Sequence, residues 1–272
     1  MQNKIISILG GGWLGKPLAE TLEKSGYSIK IATASEENHQ RLTAAGKNAF
    51  QVNVRSESVS GSAVESFLEA AILILNITPN RDELEQEQFA SLLPLIEAST
   101  IRKVLFVSAT SVYPNVNRRV FEGEGIELKT HHLYRSERFL SENTSFETTV
   151  LRLAGLIGGE RHPGRFFRKS GWIKNGNAPV NLIHRVDCIK IIQQIIEQNV
   201  WGETFNACSD THPLKNDFYP LAAKSIGLDP PKVDLTGESK FKIVDNQKIK
   251  KQLQLQLDYP DVLDLLKKGN WI

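Results

Sequence analysis

Short apolar runs and amphipathic stretches take turns along the first half of the chain. Runs at residues 4–9, 28–32, 49–52, 71–76, 103–108 and 148–153 read as strands. Several are unbroken apolar segments such as Ile72-Leu73-Ile74-Leu75, the pattern of a strand covered by helices on both faces. Between them, residues 13–24, 62–69, 82–98 and 131–142 carry apolar side chains at three- and four-residue spacing, which predicts helices, the first stopped by Gly26. This alternation predicts an α/β fold built on a doubly wound parallel sheet.

Beyond about residue 155 the texture changes to Gly-, Pro- and Arg-rich connections with isolated elements: a helix over 188–197, a strand over 204–207 and a helix over 214–226. The expected organisation is a dinucleotide-binding domain over 1–155. A small C-terminal substrate lobe over 156–272 follows, with about 180–207 returning to the first domain. The Leu-Gln alternation at 252–257 is read as a local packing device.

Composition narrows the class without naming a ligand. The 272 residues are 40% hydrophobic and 24% charged, and 33 basic against 31 acidic side chains leave a formal charge of +2. That balance predicts no nucleic-acid and no membrane partner. Cys188 and Cys208 stand far apart without metal-ligand spacing, so neither a disulfide framework nor a metal site is expected, and a reducing cytoplasm fits. The apolar run 5–9 is too short for a signal segment, and no stretch approaches the roughly 20 residues that cross a bilayer. A monomer or homodimer is expected.

The strongest chemical signal is Gly10-Gly11-Gly12-Trp13-Leu14-Gly15, a G-x-G-x-x-G pattern between a predicted strand and a predicted helix. In that context Gly10 makes the tight turn, Gly12 lets a diphosphate approach the backbone, and Gly15 lets the helix sit close to the sheet. Amide groups of the helix start, including those of Trp13 and Leu14, then face the phosphates. About 20 residues further on, where an acidic residue bonds the ribose of NAD, the chain has Thr33-Ala34-Ser35. Thr33 and Ser35, with Lys30 or Arg41 nearby, suit a 2′-phosphate; Glu36 and Glu37 argue the other way. The cofactor is therefore NADP or NAD, with NADP favoured. Capping of the next helix is the alternative role of Thr33 and Ser35.

Val107-Ser108-Ala109-Thr110-Ser111-Val112-Tyr113, followed by Tyr134-Arg135-Ser136-Glu137-Arg138, resembles the extended and atypical short-chain dehydrogenase/reductases, the NAD-dependent epimerase/dehydratase family. Residues 151–158, 181–187 and 242–246, with Tyr259-Pro260-Asp261, extend the resemblance over nearly the whole chain. It implies a Rossmann fold that binds NAD or NADP and carries its substrate in the C-terminal lobe. It also implies an oxidoreductase or epimerase/dehydratase-like activity on a small polar substrate, with Tyr134 as the proton-transferring group. The set departs from the family pattern: Ala109 replaces the substrate-bonding hydroxyl, so Ser108 or Thr110 would have to reach across, and Arg138 stands where Lys belongs. Tyr134 and Arg138 are equally well read as one turn of an amphipathic helix. A protein that keeps the cofactor fold as a non-catalytic regulator or scaffold is the alternative.

The resemblance also places Asn76 and Thr78 near the nicotinamide-side ribose and phosphate, and Asn53 and Val54 at the adenine. Arg161 and Arg165, on one loop, offer two guanidinium groups to a substrate carboxylate or phosphate, with a solvated basic loop as the commoner alternative. His184 is a candidate titrating group in the substrate lobe, and Asp187 is read as a helix N-cap.

Overall fold

The computed structural model describes residues 5–77, 89–236 and 239–269. The chain opens with β1 (Ile5–Leu9), α1 (Gly15–Lys24), β2 (Ser28–Thr33), α2 (Glu36–Ala44) and β3 (Ala49–Val54). There follow β4 (Val59–Gly61), α3 (Val64–Leu68), β5 (Ile72–Leu75), α4 (Leu93–Glu97) and β6 (Lys103–Ala109). Helix α1 starts two residues later than its periodicity suggests, because residues 11–14 form the turn that feeds it. It buries Leu18, Ala19 and Leu22 against the sheet and ends at Gly26, whose φ of +86° suits glycine. Of the helix expected over 82–98, residues 89–92 form a turn and only α4 is helical among the described residues; residues 78–88, and with them Thr78, lie outside the described residues.

A short strand β7 (Arg119–Val120) is followed by α5 (His132–Ser141) and β8 (Glu147–Leu153). The second half contributes β9 (Gly155–Ile157), β10 (Trp172–Ile173), β11 (Leu182–His184), α6 (Arg185–Glu197) and β12 (Thr204–Ala207). It closes with α7 (Lys215–Lys224), β13 (Lys232–Val233), β14 (Ile243–Val244), α8 (Gln247–Gln252) and α9 (Val262–Lys268).

One eight-stranded sheet runs β12-β8-β6-β5-β1-β2-β3-β4. The pairs β1–β2, β1–β5, β2–β3 and β5–β6 are parallel, and β4 adds an antiparallel edge to β3. Its strands carry an apolar core from both sheet faces: Ile6, Ile8, Leu73, Ile74, Val104 and Phe106 are fully buried. The chain steps from β1 outward to β3 and then returns to β1's other side with β5, so the order reverses between β1 and β5. In open α/β sheets the crevice outside the strand ends at that reversal is where ligands bind.

Two compact units share the chain. One holds residues 1–109, 128–151 and 195–204; the other holds 110–127, 152–194 and 205–272. The second unit has three two-stranded parallel pairs, β7–β14, β9–β11 and β10–β13. Its apolar core gathers Ile157, Ile173, Leu182, Phe218, Val262 and Leu265. Asp187 is not the cap of α6 but lies inside its first turn, buried, and accepts the Asp258 and Tyr259 amides at 2.7 and 3.1 Å. Burial pushes its carboxyl up to about 6, against the lowering effect of those two amides. In the Leu-Gln stretch Leu253, Leu255 and Leu257 are buried while Gln252, Gln254 and Gln256 are exposed. No helix among the described residues is long and apolar enough to cross a membrane.

Candidate functional site

The three fingerprint glycines have three different surroundings. Gly10 has φ +119°, and a Cβ there would meet the Asn76 carbonyl oxygen at 2.2 Å. At Gly15 a Cβ would meet the Gly10 carbonyl oxygen at 2.0 Å, so the start of α1 rests directly on the turn. A Cβ on Gly12 meets nothing within 4 Å. Sterics thus require glycine at Gly10 and Gly15 for the protein's own packing, whereas Gly12 is exposed and its packing makes no such demand. The Gly10 and Gly11 amides both donate to Ala32 O, at 3.0 and 2.8 Å, which folds the turn back on β2. Those of Gly12 and Leu14 donate to no described residue, and α1 has neither a side-chain cap nor an acidic residue in its first turn. Helix dipole and amides together leave an electropositive spot at the β1–β5 crevice. Asn76, at the end of β5, donates from Nδ2 to Gly10 O at 3.1 Å and so braces the turn from the other side.

The end of β2 is organised by Asn38, which inspection of the sequence does not single out. Its Nδ2 donates to Gly11 O at 3.1 Å and to Thr33 Oγ1 at 3.2 Å; its Oδ1 accepts Arg41 Nη2 at 2.7 Å. Ser35 is the N-cap of α2, its Oγ accepting the Asn38 amide at 3.3 Å. Arg41 is thereby held beside the glycine turn, while Lys30 is committed elsewhere, to the Ser66 and Glu69 carbonyls. Asn53 and Val54 lie inside the β3–β4 pairing, opposite Ser60 and Val59, rather than in a loop after β3; Val54 is buried and Asn53 half-buried.

At the end of β6 the Ser108 hydroxyl donates to Glu137 Oε1 at 2.5 Å, and both residues are buried. Helix α5 turns Leu133, Ser136, Glu137 and Leu140 inward. Tyr134 and Arg138 fall beside that stripe, where they line a surface hollow with Lys129, Arg135 and Phe139. Arg138 is exposed and pairs with Glu142 one turn on. Thus Tyr134 and Arg138 do share one helix face, while Ser108 is brought together with Glu137.

In the second unit, Thr110 opens a single 3₁₀ turn and lines a cavity of about 350 Å³ with Lys215, Lys240 and Lys242. Arg161 and Arg165 are exposed, on a turn capped by His162 Nδ1, which accepts the Gly164 amide at 3.1 Å. His184 is buried; its Nδ1 accepts the Val186 amide at 3.3 Å and its ring packs on Tyr259. Burial and the neighbouring Arg185 lower its pKa to about 4, so the imidazole is neutral at pH 7. A buried polar group also stands here: Arg152 donates to Glu127 at 2.7 Å and to the Tyr113 hydroxyl at 2.6 Å, and Tyr113 donates to Asn206 at 3.0 Å. Cys188 and Cys208 are free and buried, and burial raises both thiols, that of Cys208 to about 12. Among the described residues no cluster of side chains suits a metal ion.

No protein-family model matches the chain. Protein YeeZ of Escherichia coli strain K12 is 31% identical over 269 residues, spanning 96% of this chain and 98% of YeeZ. A functionally unknown conserved protein from Silicibacter pomeroyi superposes with a TM-score of 0.78 at 22% identity, over 98% of this chain and 99% of its own. UDP-glucuronic acid 4-epimerase from Bacillus cereus, in complex with NAD, superposes with a TM-score of 0.76 at 18% identity, over 97% and 96%. The reversal of strand order at the glycine turn and the match along almost all of both sequences lead to one assignment: the chain belongs to the YeeZ family and has the Rossmann fold of the NAD-dependent epimerases and dehydratases.

Proposed function

We propose that the protein is an NAD(P)-dependent oxidoreductase or epimerase/dehydratase-like enzyme of the short-chain dehydrogenase superfamily, acting on a small polar substrate and favouring NADP. The observation that carries this reading is the contrast among the glycines: two are pressed against backbone, and the exposed one between them points a vacant Cβ direction outward at the sheet's reversal point. The residues present fit a dinucleotide. The Gly12 and Leu14 amides would hold the diphosphate, with Asn76 keeping the turn in shape. Arg41, fixed through Asn38 beside Thr33, would take the 2′-phosphate. Val54 and Asn53 would contact the adenine.

When bound, the cofactor supplies hydride transfer. The chain's part is to orient it and to move a proton, a role assigned to the Tyr134 hydroxyl with the Arg138 cation one turn away. The test is titration with NADPH and NADH, read by energy transfer from tryptophan, followed by turnover of a panel of carbonyl, alcohol and nucleotide-sugar compounds. Turnover abolished in Tyr134→Phe supports the assignment, and full activity in that variant removes Tyr134 from the chemistry. Failure to bind either nucleotide refutes the reading as a whole.

Two observations favour a second reading, a dinucleotide-binding regulator without catalysis. The Ser108 hydroxyl is taken by Glu137, and Arg138 by Glu142. Tight NADPH binding with no turnover across the panel, together with a nucleotide-dependent change in association with a partner, selects it.

A further inference from the structure

We infer that the second unit captures a phosphorylated small molecule in the cavity walled by Lys215, Lys240 and Lys242. That this ligand is the substrate rests on the proposed enzymatic function; that the cavity takes an anion rests on its own residues.

The cavity, about 350 Å³, lies within the size range of small-molecule sites, and among the described residues no carboxylate lines it. Three lysines therefore line one cavity with no acidic side chain among its described lining residues. Among the described residues Lys215 and Lys240 have no ion-pair partner. Lys215 is moreover the first residue of α7, where the helix dipole disfavours a cation; the amides of Lys215 and Asn216 are already bonded to the Ala178 and Gly176 carbonyls, and Asp217 is the acidic residue of that turn. An anion seated beside Lys215 would offset that penalty.

Lys242 is held in position rather than free to swing. Its Nζ donates to Tyr113 O at 2.6 Å, which leaves two of its three donors for a ligand. Its own strand is pinned by Asn181, which donates to Lys242 O at 2.9 Å and accepts the Val244 amide at 2.8 Å. Burial also lowers the pKa of both Lys215 and Lys242, the mark of ammonium groups partly stripped of water. The chemistry selects phosphate over carboxylate: compact ammonium charges suit a tetrahedral oxyanion, whereas a planar carboxylate is matched by the guanidinium fork, and among the described residues no Arg lines this wall. Asn115 and Asn175 at the rim add neutral polar groups for the rest of the molecule.

The test is calorimetric titration of sodium pyrophosphate, with sodium malonate as the carboxylate arm. It is run in a Gly12→Asp background, where the Cβ meets no protein atom within 4 Å and the added carboxylate repels a diphosphate at the glycine turn. Pyrophosphate binding is expected to persist there. It is expected to weaken roughly tenfold or more for each ammonium removed in Lys215→Gln and Lys240→Gln, with the melting temperature not lowered, because neither side chain is packed in the core and Lys215 carries a dipole penalty that Gln lacks. Pyrophosphate affinity that survives the double change, or that is absent from the start, overturns the inference. Malonate binding as tight as pyrophosphate overturns the choice of phosphate. Titration of the wild-type protein with NADPH reports on the dinucleotide reading separately.

Discussion

Alanine substitutions at Gly12 and Gly15 separate what the turn does for the protein from what it does for a ligand. At Gly15 the new methyl would lie 2.0 Å from the Gly10 carbonyl oxygen, and ordinary contact begins at 3.4 Å, so the start of α1 must back away by about 1.4 Å (3.4 − 2.0). Overpacking of that kind costs about 1–3 kcal/mol, which lowers the melting temperature by roughly 2–12 °C at about 2–4 °C per kcal/mol. At Gly12 the methyl meets no protein atom within 4 Å, so stability should stay within about 0.5 kcal/mol of wild type. The methyl does occupy the space a diphosphate needs. Loss of one charge-assisted amide bond, about 1.5–3 kcal/mol, weakens NADPH about 10- to 150-fold. Thermal unfolding and NADPH titration of both variants read the two effects. If Gly12→Ala binds NADPH as tightly as wild type, no diphosphate sits at this glycine; if Gly15→Ala melts with the wild type, the close contact with the Gly10 carbonyl is not what fixes the helix.

Three further outcomes follow from the geometry. Arg41→Ala should weaken NADPH about tenfold or more and leave NADH unchanged, because the bond lost is to a 2′-phosphate; parallel titrations with the two nucleotides check it. Arg152→Leu leaves Glu127 buried without its cation, both groups being about 5% exposed or less in the pair, and should cost about 3–5 kcal/mol, most of it recovered in Arg152→Leu/Glu127→Leu. Urea unfolding of the four-member cycle decides, and a double variant as unstable as the sum of the singles refutes the account. The third concerns pH. His184, depressed to about 4, keeps the folded state from taking up a proton that the unfolded chain binds near 6.5, so about 3 kcal/mol of stability is lost as pH falls from 6.5 to 4. Asp187, raised to about 6 from 3.8, works in the opposite direction, its folded state gaining about 3 kcal/mol on the descent from 6 to 4. Asp187→Asn should therefore lose stability more steeply than wild type between pH 6 and 4, and equal slopes in urea titrations would refute the pairing.

The sheet was legible because each central strand is an apolar run that only double coverage explains: Ile72-Leu73-Ile74-Leu75 is β5, and the other main strands lie within two residues of their expected bounds. Helix α2 escaped because it buries a single apolar side chain, Leu42, and so leaves no stripe to count. The β4 edge escaped for a related reason, since Val59-Ser60-Gly61 is too short and too exposed to show an alternation. The glycine turn was legible in its packing role, because the spacing puts Gly10 in the tight turn and Gly15 directly on it. Asn38 was not. It acts through bonds to Gly11 and Thr33 that exist only once β1 and β2 lie side by side, and nothing in its neighbours along the chain announces that.

The chemistry at the end of β6 turns on one residue of helical phase. Successive side chains on an α-helix are about 100° apart, so Leu133 and Tyr134 cannot both face the sheet. Leu133 and Glu137 take the inward positions, and Glu137 engages Ser108. Tyr134 and Arg138, one step round, are left on the flank, with Arg138 drawn to Glu142. For Tyr134 to serve a substrate it must act from that flank with no help from the Ser108 hydroxyl, and with Ala109 offering none. Exchanging Ser108 for Ala is then informative in either direction. It should loosen the packing of α5 on β6 while leaving the rate of any turnover within a few-fold of wild type, whereas a loss of 10² or more at unchanged stability would show that the hydroxyl leaves Glu137 to bond the substrate.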